Sequence, residues 1–476
     1  MADPWWKRGV VYQIYPRSFC DGDGDGMGDL KGIESKLDYL SDLGVDAIWL
    51  SPCFTSPQKD LGYDVADYCD IDPLFGSLAD LDALIASAHD RSIKVLLDWV
   101  PNHTSDQHPW FVESRSSRDN PKADWYWWRD ATREDPPNNW EANFVGGPAW
   151  TLAPERDQVY LHNFLPEQPD LNWRNPEVVA AMHDTLRFWL DRGVDGFRID
   201  VIHLLGKPDD LPSIPDEATG VGRVNFFDFD DTHAILRGIR SVLDSYEGDR
   251  VTVGEVYLLS TALVAKYYGE GDELHLAFNF PPLYAPWDAD AWRKRIDRVV
   301  DEMPADAWPT WVLSNHDNPR HRTRYGGSLE RARAAAVLLL TQRGTPFLYQ
   351  GDELGLEDAV IPPELQEDPG GRDGCRAPIP WETADADATR DLYVALLDAR
   401  RGSPALSVGD FAWLDSAPGT LVYERRASDD VRIVAVNFTD EPKPVLLPEG
   451  EWRVEAGTTA EFTGQLAPNQ AVILRP

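Results

Sequence analysis

The chain has 476 residues, 42% of them hydrophobic and 26% charged, which is enough to bury a large core and more than one ordinary domain holds. Its formal net charge of −36 repels phosphate backbones and anionic lipid, so neither nucleic acid nor a membrane is expected as a partner. The segment Met1–Arg8 lacks the apolar run of a secretory signal, and the four cysteines form no Cys-x-x-Cys pair. A cytoplasmic protein with reduced thiols is expected, monomeric or a small homo-oligomer.

The first β-branched run is Val10–Tyr15. It leads into Asp21-Gly22-Asp23-Gly24-Asp25-Gly26-Met27-Gly28-Asp29, where oxygen side chains alternate with glycine as in a calcium loop. An EF-hand is ruled out, because the twelfth position is Gly32 and a strand precedes the loop. Further strand-like runs are Ala47–Leu50, Lys94–Val100, Gly196–Ile199, Val251–Gly254, Leu274–Phe278, Trp311–Leu313 and Pro346–Tyr349. Helix-period segments at Leu78–Asp90, Glu177–Arg192 and Arg331–Gln342 alternate with them, the pattern of parallel βα units. Eight runs predict an α/β fold of the (β/α)₈ barrel type; periodicity by itself leaves an open doubly wound sheet in contention.

Residues 104–167 are rich in Trp, Pro, Asn and Gly without a helical stripe, and are expected to form a subdomain inserted after strand three. The barrel would then comprise 1–103 and 168–401. Short strands between turns at Gly419–Arg425, Val431–Asn437 and Ala471–Leu474 predict a C-terminal β-sandwich over 402–476.

Function in a parallel barrel collects where strands end, and four predicted ends carry carboxylates: Asp98-Trp99-Val100-Pro101-Asn102-His103, Gly196-Phe197-Arg198-Ile199-Asp200, Val253-Gly254-Glu255 and Asn315-His316-Asp317. Arg198 and Asp200 are two residues apart and so share a strand face, where the guanidinium should hold Asp200 ionised. Glu255 needs the opposite tuning if it is to donate a proton.

These four segments, in this order, resemble the signature regions of the α-amylase superfamily, glycoside hydrolase family 13. Gly44–Pro52, Gln168–Trp173 and Gly344–Glu353 agree with them. Gly62–Tyr68 and Gln168–Trp173 look like the α-glucosidase and oligo-1,6-glucosidase branch. The resemblance implies a retaining hydrolase with Asp200 as nucleophile, Glu255 as acid/base and Asp317 holding sugar hydroxyls beside His103 and His316. It further implies that Asp60 and Arg376 clasp a terminal glucose, making the enzyme exo-acting on short α-glucosides, with Tyr63, Arg198, Val201 and Phe164 as other substrate contacts. A transglucosidase, or a sucrose- or trehalose-acting relative, would use the same machinery. A non-catalytic relative is disfavoured, because Asp200, Glu255 and Asp317 are all present.

For the acidic loop the resemblance implies structural Ca²⁺, with Mg²⁺ as the alternative, on Asp21, Asp23, Asp25, Asp29 and the Met27 carbonyl; no organic cofactor is expected. Two departures stand out. Phe144-Val145-Gly146-Gly147 lacks the aromatic that commonly precedes the glycine pair, and His203 occupies a position that is often Asn. Val201, next to the nucleophile, resembles the isomaltase type, which predicts tolerance of α-1,6 links.

Overall fold

The computed structural model describes residues 3–143, 145–215, 229–382 and 387–476. Eight parallel strands make the central sheet: β1 (Val11–Ile14), β2 (Ala47–Leu50), β3 (Lys94–Trp99), β4 (Gly196–Ile199), β5 (Val251–Gly254), β6 (Leu276–Ala277), β7 (Thr310–Val312) and β8 (Thr345–Tyr349). Their hydrogen-bonded order is β6-β5-β4-β3-β2-β1-β8-β7, so β1 lies between β2 and β8 and the sheet curls into a barrel. At the β6–β7 seam the Thr310 hydroxyl donates to the Ala277 carbonyl at 2.8 Å. The open-sheet alternative is thereby excluded.

Strand alternation explains the core. Val11, Ala47, Trp49, Leu96, Val251 and Phe347 fill the barrel interior, while Tyr12, Ile48, Leu97 and Phe197 face outward under the helices. Both sets are buried, which is why these strands read as continuous apolar runs rather than alternating ones.

The predicted helices form with clear starts. Leu78–Asp90 opens on a Ser77/Asp80 capping box, and Pro176–Asp191 has Pro at its start and an Asn175 cap. No helix among the described residues is long and apolar enough to cross a membrane. All four cysteines are free thiols.

Between β3 and β4, Trp128–Arg129, Gln158–Leu161 and Trp150–Ala153 pair as a small antiparallel sheet that sequence patterning did not reveal. It is held by aromatic packing, with the rings of Phe111 and Trp128 stacked 5.7 Å apart.

A helix spanning Asp387–Gly402 and a short one at Pro404–Val408 precede the C-terminal sheet, which starts at Asp410. Its five antiparallel strands place Leu421, Tyr423, Val434 and Ile473 against the barrel. Val422, Ile433, Val472 and Leu474 pack on a second layer that includes Val445 and Leu466.

Candidate active site

β3, β4 and β5 end level with one another. The register places Asp98 beside Arg198 and Val253 on the other side of Arg198. Pairing continues one step beyond the strands: the Asp200 N–H donates to Trp99 O (2.9 Å) and the Glu255 N–H to Ile199 O (2.8 Å). Both carboxylates are therefore fixed by sheet geometry and not by a mobile loop.

Buried Arg198 joins three acids. Its Nη1 donates to Asp98 (2.8 Å) and Asp200 (2.7 Å), and its Nη2 to Glu255 (2.7 Å). The Trp49 ring lies 5.3 Å from the guanidinium, and the Trp49 Nε1–H donates to Asp98 at 3.3 Å. One cation against three buried carboxylates leaves excess negative charge, so ionising all three at once is disfavoured, and their titration belongs to the cluster as a whole. Burial pushes Asp200 well above the ordinary carboxylate range and Asp98 up to about 7, with Arg198 pulling both back. The expectation that Arg198 alone would hold Asp200 low is thus corrected: desolvation and two neighbouring acids outweigh one shared guanidinium.

Val201 follows with φ of 33°, a left-handed conformation rare for a β-branched residue, and its N–H donates to Glu255 at 3.1 Å. Such backbone costs on the order of 1–3 kcal/mol and persists where the surroundings fix it. Phe164 is buried with Val201 and Leu204, its ring 5.2 Å from that of His103. Phe144 lies outside the described residues. His203 sits beneath the cluster, its Nδ1 at 3.4 Å from the Glu255 carbonyl.

Across the barrel mouth, His316 bonds to Gln13 (2.7 Å) and to the Tyr63 hydroxyl, and the Tyr63 ring stacks on it at 5.6 Å. Tyr63 also donates to Asp98 at 3.2 Å. Burial drops His316 well below its usual range and His103 to about 4, so both imidazoles are neutral near pH 7. His103 Nε2 lies 3.1 Å from the Tyr63 carbonyl and 3.1 Å from the Gln168 amide.

Asp317 Oδ1 accepts from Arg372 (2.7 Å) and Arg376 (3.0 Å), while Oδ2 is 3.2 Å from His316. Burial works to raise Asp317, yet it is held below the usual carboxylate range. His316 beside Oδ2 and the guanidiniums of Arg372 and Arg376 hold it there. Asp60 accepts from Arg372 (3.1 Å) and Gln168 (3.0 Å), and burial lifts it to about 6 against the pull of both arginines.

Asp60 and Arg376, expected to clasp the sugar, are linked to each other through Arg372 and Asp317. Arg372 touches Asp60, whereas Arg376 reaches Asp317, the His316 carbonyl (2.7 Å) and the Tyr15 hydroxyl (3.3 Å). Arg372 and Gln168 were not singled out from sequence as site residues. Gln168 stood inside a quoted motif; Arg372 lies four positions before Arg376 in a loop whose path no periodicity reveals.

In the acidic loop, carboxylate oxygens of Asp21, Asp23 and Asp29 lie within 4.8 Å of one another, a hard-oxygen set suited to Ca²⁺ or Mg²⁺. Asp25 is not in that group; it accepts the Met27 N–H at 2.8 Å. Asp29 also caps the following helix through the Gly32 N–H (2.6 Å).

A barrel whose strand ends gather paired carboxylates around a pocket with two neutral histidines is built for glycoside chemistry. The catalytic-domain model of the α-amylase family matches residues 13–398, and the chain belongs to that family, glycoside hydrolase family 13. It is a glycoside hydrolase. A probable alpha-glucosidase of Rhizobium meliloti (strain 1021) is 39% identical over 93% of this chain and 91% of its own. An oligo-1,6-glucosidase of Parageobacillus thermoglucosidasius is 35% identical over 94% and 93%. Among solved structures, the alpha-glucosyl transfer enzyme XgtA superposes with a TM-score of 0.91 at 40% identity, covering 100% of both chains.

Proposed function

We propose that the protein is an exo-acting, retaining α-glucosidase that releases glucose from the non-reducing end of short α-glucosides. The observation that carries this reading is the bridging of Asp200 and Glu255 by the two arms of Arg198. Carboxylates side by side on one guanidinium fit the spacing of about 5 Å used in retention better than the wider gap that admits water in inversion.

In the first step an Asp200 oxygen attacks the anomeric carbon while Glu255, more open than Asp98 or Asp200, delivers a proton to the leaving oxygen. In the second step Glu255 takes a proton from water, whose oxygen displaces Asp200 with net retention. Asp317, Arg372 and Asp60 grip the far hydroxyls of the sugar, and His103 and His316, both neutral, donate hydrogen bonds beside them. Closure of the far end by Asp60, Gln168 and Arg372 supports exo action. Val201 beside the nucleophile, which resembles the isomaltase type, together with the oligo-1,6-glucosidase relative, supports acceptance of α-1,6 links. We further propose structural Ca²⁺ in the Asp21–Asp29 loop.

A second reading, glucosyl transfer to a sugar instead of water, is favoured by the close likeness to a glucosyl transfer enzyme. Both readings require cleavage of an aryl α-glucoside and its loss by roughly 10³-fold or more in Asp200→Asn; a fully active variant would refute them together. Free glucose against transfer products at high maltose and isomaltose then separates the two.

A further inference from the structure

Asp368 is the buried carboxylate that holds both Arg372 and Arg376, and neither the sequence signatures nor the proposed mechanism gives it a task. Its side chain is fully buried, yet it makes four charge-assisted contacts, all to the two arginines. Oδ2 accepts the backbone N–H (2.7 Å) and Nε (2.8 Å) of Arg372; Oδ1 accepts Arg372 Nη2 (2.7 Å) and Arg376 Nη1 (3.1 Å). Two oxygens on Nε and Nη2 fix the plane of the Arg372 guanidinium as a fork. Nη1 is then left to point at Asp317, and Nη2 reaches Asp60 as well. Arg376 is divided in the same way, with Nη1 on Asp368 and Nη2 on Asp317.

The arrangement solves an electrostatic problem. Two guanidiniums packed in one buried loop repel, and each has several rotamers that would turn it away from the pocket. Asp317 meets each through one nitrogen on its single Oδ1, and so fixes the plane of neither. Asp60 reaches only one of them, Arg372. We infer that Asp368 is a positioning residue: by fixing both guanidiniums from behind it presents Asp317 and Asp60 in the geometry that binds the terminal sugar, and so sets affinity for that sugar. The inference rests on the proposed reading of this pocket as a glucose site. Because Asp317 also carries the other oxygen toward His316, loss of Asp368 should loosen ground-state and transition-state binding together and leave the Asp200–Glu255 chemistry intact.

The test uses the full chain and an aryl α-glucoside, with free glucose as competitive inhibitor. Asp368→Asn keeps the shape and one acceptor oxygen but removes the charge. KM and the glucose Ki should rise together by about tenfold, with kcat within about threefold of wild type. Asp368→Glu, which restores the charge, should recover part of that affinity. Unaltered KM and Ki in Asp368→Asn would overturn the inference, as would a fall in kcat and melting temperature at constant KM. Equal loss of affinity in Asp368→Glu would assign the residue to packing and overturn it too. A wild-type enzyme inert toward the aryl α-glucoside would instead sink the reading of the site, which keeps the two failures apart.

Discussion

Arg372 and Arg376 are four residues apart and differ in what they touch, which makes them separable by kinetics. Arg372 contributes Nη1 to Asp317 and Nη2 to Asp60, at the pocket's edge; Arg376 is 5% exposed, its Nε spent on the His316 carbonyl and its guanidinium over the Tyr15 ring. A charge-assisted hydrogen bond contributes about 1.5–3 kcal/mol. Arg372→Ala should therefore cut kcat/KM for an aryl α-glucoside by roughly 10–100-fold, mainly through KM, and lower the melting temperature, because it takes two side-chain donors from buried Asp368. Arg376→Ala, which takes the donor from the His316 carbonyl and does not touch Asp60, should lower the melting temperature too but raise KM less. Thermal unfolding beside steady-state kinetics decides this; matching profiles for the two variants would contradict the division. The same pair marks how far the site was legible in sequence. Arg198, Asp200 and Glu255 could be placed because strands alternate and register is regular, so spacing becomes geometry. Arg372 could not, because a loop converts spacing into nothing definite. The direction of the Asp200 shift was misjudged for a related reason: sequence shows the adjacent arginine but not Asp98 and Glu255 on the same guanidinium.

At the scale of elements, each of the eight barrel strands lies where short apolar runs predicted it, since burial on both faces leaves an unbroken hydrophobic signal. The three strands of the insertion escaped because each is two to four residues long and stabilised by aromatic packing, which carries no period. The acidic loop was legible as a motif but not ligand by ligand. Asp29 serves also as a helix cap, and Asp25 is turned to its own loop's backbone. Asp21 Oδ1 and Oδ2 accept the N–H groups of Gly24 and Gly26, which hold its carboxylate below the ordinary range and keep it ionised for a cation. The converging carboxylates repel one another without a cation, so a chelator should lower the melting temperature and added Ca²⁺ should restore it. Asp21→Asn should melt low and respond to neither. A wild-type enzyme whose unfolding ignores both chelator and Ca²⁺ would count against the metal.

For the whole molecule, the net charge of −36 already opposes compaction as pH rises, and several buried acids add to that. Burial lifts Asp60 to about 6, Asp98 to about 7 and Glu353 to about 7. Glu353 is the cleanest of these to probe, since it lies outside the sugar site, after β8. Its Oε1 accepts the hydroxyls of Tyr12 (2.9 Å) and Tyr39 (3.0 Å), and its Oε2 the Gly351 N–H (3.1 Å). Asp352 beside it adds to the cost of ionisation, and Tyr393 feels both charges. In the unfolded chain this glutamate ionises near pH 4.3, so between that value and about 7 the fold holds a proton the unfolded chain has released. Folding is thereby favoured at low pH, and the contribution is lost as pH rises through about 7, at about 1.4 kcal/mol per pH unit over which the proton is held. Asp60 and Asp98 act in the same direction. Melting temperature should accordingly fall between pH 5.5 and 8, and Glu353→Gln, which imitates the protonated acid, should show a shallower fall while keeping the wild-type pH profile of kcat. Parallel slopes for the two proteins in calorimetry would mean that Glu353 is ionised in the fold throughout, and that the net charge and the site acids alone produce the decline.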